Sequence, residues 1–326
     1  MHRSSMVQAL PYLQARVGID DVGIERLRRA ITAKPVEAQG FVNLANGVVE
    51  HSPPEPLARL LTDVAGLPGG DVVALDILHM YFFVNKATAA TAPEPLLKVG
   101  RQMLAKLNPA QASGHRAHGL AKVIKICCSG SGTATSIAVA SALRSGLEAG
   151  DIHFYETREV INSLCEAQPH VVLDTFVLAS PEDDVMWRWD IGGRKGLPYK
   201  SIGATAIQAW ASVDPEARYA LLGPAMSLFS RGDFEESAQL DPLFADLLRL
   251  APDKTAFLGR FDHQVHSNQW SGSLKAMLES RRAELVRLAK EMSGEVADWV
   301  NQGLPDLNRW IDSAGDMDRD QEESFE

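Results

Sequence analysis

A helix-start pattern that recurs along the chain constrains its fold more than any other feature of the sequence. Ser52-Pro53-Pro54-Glu55 places a capping serine before proline at the first helical position, with glutamate three residues after the serine. An apolar stripe at helical spacing follows. Asp214-Pro215 and Asp241-Pro242 supply the same elements, a capping side chain and then a residue with no backbone donor to satisfy. Strand signals do not recur in the sequence, so the pattern predicts an all-α fold.

The pattern also returns at a fixed distance. The segment SPPEPLARLL (Ser52–Leu61) aligns with TAPEPLLKVG (Thr91–Gly100) at an offset of 39 residues. HEAT-type repeats, which stack antiparallel helix pairs, have a period of roughly 40 residues. We therefore predict an α-solenoid of HEAT-like antiparallel helix pairs that forms a single helical-repeat domain over residues 1–311.

Two regions interrupt this regularity. Residues 179–201 are polar and rich in glycine around Trp187 and Trp189, which predicts an irregular loop. Pro305 falls inside an otherwise helical run near the C-terminus. Because proline removes a backbone hydrogen bond from a helix, we predict a kink or a break near Gly303-Leu304.

Charge is unevenly distributed along the chain. The net charge is −10, and Asp312–Glu326 contains seven carboxylates and one arginine, hence −6. Such an acidic end predicts a disordered tail over residues 312–326, with an acidic docking segment as the alternative. The remaining residues are only mildly acidic, so the chain lacks the basic footprint of a phosphate-backbone binder. This balance argues against nucleic acid as a partner.

Cysteine content and hydropathy bear on the compartment. The chain has three cysteines, the adjacent Cys127 and Cys128 and the separate Cys165, and no C-x-x-C pair. A disulfide framework or a zinc–thiolate site is therefore not expected, and a reducing compartment is. No apolar run reaches the roughly 18 residues of a membrane span, and the N-terminus lacks an apolar signal core. These features predict a cytoplasmic protein with no membrane partner.

The segment CCSGSGTATSIAVA (Cys127–Ala140) looks superficially like a phosphate-binding loop. No lysine follows Gly132, as a P-loop requires, and Thr135 stands where a dinucleotide-binding pattern needs its third glycine. The apolar residues that precede the segment recur at helical spacing rather than as a continuous block. We therefore predict a helix, a glycine turn, Thr133 as N-cap and a second helix, with no bound phosphate and no cofactor.

Two histidine pairs have the spacing of metal ligands, His115 with His118 and His263 with His266. A spacing of three residues puts two imidazoles on one face of a helix, as a metal site requires. Neither pair has a supporting motif or an identifiable third ligand. Exposed or capping histidines are therefore favoured over a metal centre.

The sequence offers no nucleophile with its partners. It has no G-x-S-x-G elbow. Cys165 follows Val160 and Ile161 at helical spacing, which predicts a core position. Asp183 and Asp184 are adjacent in a polar region, and they are better interpreted as solvated charges than as an acid–base pair. We predict no catalytic residue and a non-enzymatic protein.

Basic residues form two small clusters. Arg28, Arg29 and Lys34 form the first, and Arg281, Arg282, Arg287 and Lys290 form the second. Glutamates alternate with them at spacings of three and four residues, which predicts ion pairs on helix surfaces. Nucleic-acid binding through these clusters is the alternative.

The segment QWSGSLKAMLESRR (Gln269–Arg282) joins a Trp-Ser-Gly-Ser turn to an amphipathic run. Ser271 or Ser273 can cap the helix, and Gly272 allows a sharp turn. We expect Trp270 to pack into the preceding helix pair, so that the turn fixes the angle of the last helices.

This turn, the segment DPEARYALLGPAMSLFSR, the amphipathic helix pair and the charged tail closing in Phe325-Glu326 carry a resemblance. From about residue 40 onward the chain resembles the HEAT-like C-terminal region of large bacterial proteins of unassigned function. In such proteins any enzymatic part lies upstream of the helical region, so the resemblance implies no catalytic residue. It also implies a module of a larger bacterial system, with a defence-type role by analogy.

These observations predict a non-enzymatic scaffold or sensor module that mediates protein–protein interaction with an unidentified protein partner. The alternative is a nucleic-acid-binding or nucleic-acid-processing protein with HEAT-like repeats.

Overall fold

The computed structural model describes residues 10–11, 13–14, 20–33, 38–47, 52–112, 116–178, 199–222, 226–230, 238–265 and 273–324. These residues are mainly α-helical. Their β-structure is one antiparallel hairpin of two short strands, β1 (Phe229–Ser230) and β2 (Gln239–Leu240). The all-α prediction is confirmed.

The chain divides into two compact units, residues 1–176 and residues 177–326. This division differs from the single domain predicted over residues 1–311. Most described helices after residue 199 have fewer than ten residues, whereas most of those before residue 176 are longer. Of the predicted irregular loop, residues 179–198 lie outside the described residues, and 199–201 begin a short helix.

The first unit contains helices that alternate between two layers. They are α1 (Asp21–Ala33), α2 (Leu44–Gly47), α3 (Pro54–Ala65), α4 (Gly70–Val84), α5 (Glu94–Leu104), α6 (Ala117–Cys128), α7 (Thr133–Ala149), α8 (Phe154–Ala167) and α9 (Pro169–Val172). Helices α1, α3, α5, α7 and α9 lie side by side in the first layer, and α2, α4, α6 and α8 lie side by side in the second. Successive helices such as α3 and α4 pack across the layers.

The 39-residue offset found in the sequence relates buried positions of α3 to buried positions of α5 in the first layer. Each main apolar position of α3 has a buried counterpart 39 residues later in α5. The pairs are Leu57 and Leu96, Leu60 and Val99, Leu61 and Gly100, and Val64 and Met103. The repeat in the sequence therefore reflects the same face of two neighbouring helices turned toward one core.

The starts of α3 and α5 follow the prediction with one correction. Pro53 and Pro93 are the N-caps, in extended conformations with ψ of 123° and 133°, and neither helix start has a side-chain cap. Ser52, which the sequence favoured as the cap, lies one residue too early. Proline fixes φ near the value that a helix entry requires, so the chain enters both helices without a capping hydroxyl.

Three helices of the first unit meet at Gly100. A Cβ atom at this position would lie 2.6 Å from the Cys127 Sγ atom of α6 and 2.9 Å from the Leu78 Cδ2 atom of α4. Glycine therefore allows α5 to approach α4 and α6 of the second layer closely. This contact fixes the relative positions of α4 and α6.

The segment from Cys127 to Thr133 forms the predicted helix–turn–helix. Residues Gly130–Gly132 make a tight turn, with Gly130 at a φ of +59°, which favours glycine. The N-cap of α7 is Gly132 rather than Thr133, which is the first helical residue. Within the described chain no single helix has the length and apolar character of a membrane span. Among the described helices, one pair, 117–128 and 130–149, reaches that length and composition together, and it is bent by 107°.

The second unit has shorter helices followed by a long helical hairpin. Its helices are α10 (Tyr199–Ile202), α11 (Ala204–Ala211), α12 (Pro215–Leu222), α13 (Pro242–Leu250), α14 (Lys254–Gly259), α15 (Asp262–Val265), α16 (Leu274–Glu291) and α17 (Glu295–Ser324). A core of stacked and edge-on rings, Phe244, Phe257 and Phe261, holds α13 and α14 together. The Asp241 side chain accepts a hydrogen bond from the Leu243 N–H group, as the Asp-Pro start predicted.

The residues predicted to form a disordered acidic tail continue α17 as far as Ser324. Asp318 accepts hydrogen bonds from the Ser273 hydroxyl and from the N–H groups of Leu274 and Lys275. Ser273 in turn caps α16 by accepting from the Ala276 N–H group, as the sequence predicted for Ser271 or Ser273. The Asp318 carboxylate lies at the positive N-terminal end of the α16 dipole, and this interaction stabilises the acidic segment as a helix.

Helix α17 also passes through Pro305 without the predicted break. Proline removes the hydrogen bond to the carbonyl group four residues earlier, at Asn301. Pro305, Asn301 and Gly303 are all exposed, so solvent can hydrate that carbonyl group. The helix is held from its other side, where Val300 and Leu307 are buried.

Candidate functional site

The second layer of the first unit carries a row of polar side chains at matched positions. His79 of α4, His118 of α6 and Glu159 of α8 follow one another at offsets of 39 and 41 residues. The His79 and His118 rings lie edge-on with centroids 6.4 Å apart. The His118 Nδ1 atom lies 3.5 Å from the Glu159 Oε2 atom. The row thus crosses three neighbouring helices.

Further contacts keep the same register. Lys125 of α6 pairs with Glu166 of α8 at 2.5 Å, again 41 residues apart. Because both α6–α8 pairs have the same offset, the two helices run in the same direction. The Gln111 amide donates to Asp71, 40 residues earlier. We call the surface formed by His79, Phe83, His118, Lys122, Lys125, Glu159 and Glu166 the α4–α6–α8 face.

The environment of His79 is set by its neighbours on α6. Gly119 leaves room for the imidazole, since a Cβ atom there would lie 3.0 Å from the His79 Nδ1 atom. Burial lowers the pKa of His79, and the nearby positive charges of His118 and Lys122 lower it further, while Asp76 opposes the shift. His79 is therefore mainly neutral at neutral pH and gains a proton less readily than a free imidazole.

Exposed aromatic rings border the polar row. Phe83 of α4 is 62% exposed, and its ring centroid lies 6.3 Å from that of His79. Tyr155 at the start of α8 is 67% exposed. Large exposed rings beside charged groups are typical of surfaces that bind another protein.

The histidine pairs do not form metal centres among the described residues. His118 is highly exposed and contacts Glu159, while its sequence partner His115 lies outside the described residues. His263 is exposed, and His266 also lies outside them. In the part of the chain that is described, no group of three histidine, cysteine or acidic side chains is arranged to hold a metal ion.

The three cysteines are buried thiols. Burial raises the pKa of Cys128 to about 11, although a hydrogen bond with Ser136 opposes the shift. Burial raises the pKa of Cys127 and of Cys165 further. The thiolate is the nucleophilic form, so all three side chains are poor nucleophiles near neutral pH. Asp183 and Asp184 lie outside the described residues.

The glycine turn after Cys128 is a structural joint. The Arg101 Nε–H group donates to the Cys127 carbonyl at 2.9 Å. The Gln168 amide donates to the carbonyls of Cys128 and Gly130, each at 3.0 Å. Ser136 also donates to the Cys128 carbonyl. These donors satisfy carbonyl groups that the end of α6 leaves without helical partners.

The basic clusters separate into surface ion pairs and one buried anchor. Arg28 pairs with Glu25, and Arg287 pairs with Glu284 and Glu291, as predicted. Arg28 also pairs with Asp63 on α3, which the local spacing did not indicate, and Lys34 lies outside the described residues. Arg281 differs, since it is only 8% exposed.

Arg281 anchors α16 instead of contributing to a basic surface. It donates to the carbonyls of Gln264 and Val265, and its guanidinium lies 5.0 Å from the centre of the Phe229 ring. Burial lowers its pKa to about 10, which leaves it charged at neutral pH. The Arg281 guanidinium therefore stabilises the C-terminal end of α15, where carbonyl groups lack helical partners.

An open groove of about 430 Å³ lies in the second unit between α11, α12 and the turn after α13. Its lining consists of Thr205, Gln208, Ala209, Ser212, Pro215, Tyr219, Leu250 and Pro252. None of these residues is charged at neutral pH. The groove therefore offers apolar contacts and hydrogen bonds but no arrangement for acid–base chemistry.

Sequence reasoning did not identify the α4–α6–α8 face. It singled out His118 as half of a metal pair, and it did not consider His79 or Lys122. The available signal was the 39-residue offset, which relates His79 to His118 as it relates Leu57 to Leu96. The Trp270–Gly272 part of the Trp-Ser-Gly-Ser turn lies outside the described residues.

No protein-family model, no curated protein and no solved structure matches the chain.

Proposed function

We propose that the protein is a non-enzymatic helical-repeat scaffold whose α4–α6–α8 face binds a protein partner. In this proposal the first unit is an α-solenoid of HEAT-like helix pairs. The observation that carries it is the row of His79, His118 and Glu159, which occupy matched positions about 40 residues apart on neighbouring parallel helices. Stacked repeats create extended surfaces of this kind, and they use them for binding.

The layered packing supports the solenoid. Each described helix of the first unit beyond α2 packs against the helix two places earlier, as stacked repeats do. The resemblance to the helical region of large bacterial proteins agrees with this arrangement and adds membership of a larger, defence-type system by analogy. The proposal assigns no catalytic residue and no cofactor.

The mixed charge of the face favours a protein over nucleic acid. Along α6, the cationic side chain of Lys125 and the imidazole of His118 both contact carboxylates of α8. A phosphate-backbone binder needs cations that remain available to phosphates. Exposed aromatic rings among paired charges, such as Phe83, are more typical of protein interfaces.

Site-specific photo-crosslinking tests the proposal. A photoreactive phenylalanine analogue is placed at Phe83 or Tyr155, and the full chain is exposed to a lysate of its source organism before irradiation. Ile137, which is 51% exposed on α7 in the other layer, is the matched control. We expect a discrete protein adduct from Phe83 and Tyr155 but not from Ile137. The same adduct from all three positions, no adduct, or an adduct removed by nuclease would refute the proposal.

A further inference from the structure

Lys122 differs from its neighbours along α6 in what the matching position on α8 offers it. The flanking side chains are paired with α8, His118 with Glu159 and Lys125 with Glu166. The positions matched to Lys122 carry no acid: Ser163 lies 41 residues later on α8, and Phe83 lies 39 residues earlier on α4. The register that supplies a carboxylate to both neighbours thus supplies none to Lys122.

The surroundings of Lys122 favour an anion. His118 and Lys122 both act on His79 as positive charges, and Asp76 is the acid that acts on it in the opposite direction. Lys122 and the two imidazoles thus lie together where α4 meets α6, with Asp76 as the acid near His79 and Glu159 as the acid beside His118. An anion placed there would interact favourably with Lys122 and would ease the protonation of His79.

An exposed aromatic ring lies beside His79. Phe83 is 62% exposed, and its ring centroid is 6.3 Å from that of His79. An apolar side chain of a bound segment can therefore pack on the Phe83 ring while the Lys122 ammonium group takes a carboxylate. A basic peptide would place its charge against the Lys122 ammonium group, and a purely apolar one would bring no carboxylate to it.

We propose that the partner presents an acidic segment to the α4–α6–α8 face, with a carboxylate at Lys122 and His79 and an adjacent apolar side chain on Phe83. This inference rests on the proposed function and adds the chemistry of the partner. Because the Lys122 side chain is only partly buried, its attraction to a carboxylate is screened by salt, and binding is expected to weaken as salt rises.

Fluorescence anisotropy of labelled peptides with the full chain tests the inference. The probe is a synthetic peptide of residues 312–326, because it combines carboxylates with Met317 and Phe325. A second peptide has asparagine and glutamine in place of all its acids. A third has lysine at those positions. Each is titrated at low and at physiological salt against the wild type, Lys122→Glu and Phe83→Ala.

We expect the acidic peptide to bind best, with affinity that falls as salt rises. Lys122→Glu is expected to weaken it roughly tenfold. Lys98→Glu makes the same charge change at an exposed position on α5, in the other layer, and is expected to leave binding unchanged. Circular dichroism of each variant separates lost binding from lost fold.

The inference is wrong if the acidic peptide does not bind, if the neutral or basic peptide binds equally well, or if Lys98→Glu weakens binding as much as Lys122→Glu. These outcomes are distinct from failure of the proposed function. A protein adduct at Phe83 combined with no charge preference would overturn only the acidic-segment inference. Absence of the adduct would remove the proposed function itself.

Discussion

Replacing Asp318 by asparagine tests whether the acidic C-terminal segment is part of the fold. The carboxylate accepts from the Ser273 hydroxyl at 2.6 Å and from the N–H groups of Leu274 and Lys275, each at 3.1 Å. It therefore occupies the N-terminus of α16, where backbone donors lack helical partners and the helix dipole is positive. The amide keeps the shape of the carboxylate but loses its charge.

The expected loss follows from the value of such contacts. Replacing a helix-capping side chain costs about 1 kcal/mol, within a range of roughly 0.5–2 kcal/mol. The site is partly exposed, so solvent screening keeps the electrostatic share small. We expect a loss of about 1 kcal/mol in the free energy of unfolding of the second unit. For a unit of this size that corresponds to about 2–4 °C in Tm.

The effect of pH gives a second measurement. Burial acts to raise the pKa of Asp318, but the hydrogen bonds from Ser273 and from the Lys275 and Leu274 N–H groups outweigh it, so the pKa is lowered. A lowered carboxylate pKa stabilises the fold above the unfolded value near 4, and this stabilisation is lost as pH falls through the folded value. The difference between wild type and Asp318→Asn is therefore expected to shrink below about pH 4.

Urea unfolding monitored by circular dichroism at pH 7 and near pH 3 measures both quantities. Asp312→Asn removes an exposed carboxylate from the same helix and is the matched control. Equal losses in the two variants would show that only the net charge of the tail matters. No loss in Asp318→Asn would mean that residues 312–324 do not pack against α16, as a disordered tail would not.

Three further predictions follow from the first unit and from α17. Gly100→Ala is expected to lower the free energy of unfolding in urea by about 1–3 kcal/mol, because its Cβ atom would lie 2.6 Å from the Cys127 Sγ atom. Gly303→Ala, in open space on α17, is the control and is expected to raise that free energy by about 0.5–1 kcal/mol. Equal effects of the two substitutions would refute the close approach at Gly100. The three cysteines are expected to react with a thiol reagent only after urea unfolding, since burial raises the pKa of each thiol; fast reaction of the native protein would contradict their burial. Burial and then His118 lower the pKa of His79, so this side chain binds a proton more readily in the unfolded chain than in the folded one. The free energy of unfolding is therefore expected to fall as pH drops below about 6.5, and to fall less in His79→Gln. An equal fall in the two proteins would exclude His79 as the cause.

Local sequence signals predicted the helices well because their causes are local. The Asp241-Pro242 start predicted a cap that the Asp241 side chain makes two residues away. The apolar stripe before Cys128 predicted α6, and the glycines after it predicted the turn. In each case the deciding interaction lies within a few residues, so the pattern in the sequence contains it.

Predictions failed where the deciding contact is distant in sequence. Asp318 meets Ser273 across 45 residues, and no local pattern in an acidic segment indicates such a partner. Arg281 looked like a member of a charged surface, but it donates to carbonyls 16 and 17 residues earlier and is buried. Pro305 was expected to kink or break α17, and the break does not occur, since the exposed position lets solvent satisfy the freed carbonyl group.

The α4–α6–α8 face shows why a surface is harder to predict than a core. Burial restricts Leu57 and Leu96 to apolar residues, so the repeat is visible there. Exposed positions have no such restriction, and the offset from His79 to His118 looks accidental until the buried register is known. Applied to exposed positions, the same register singles out Lys122, because its counterparts on α4 and α8 are phenylalanine and serine. In the sequence alone, the glycine turn after Cys128 looked more like a binding site. Along α6 the informative surface position is therefore the one that departs from the pairing with α8 that its neighbours make.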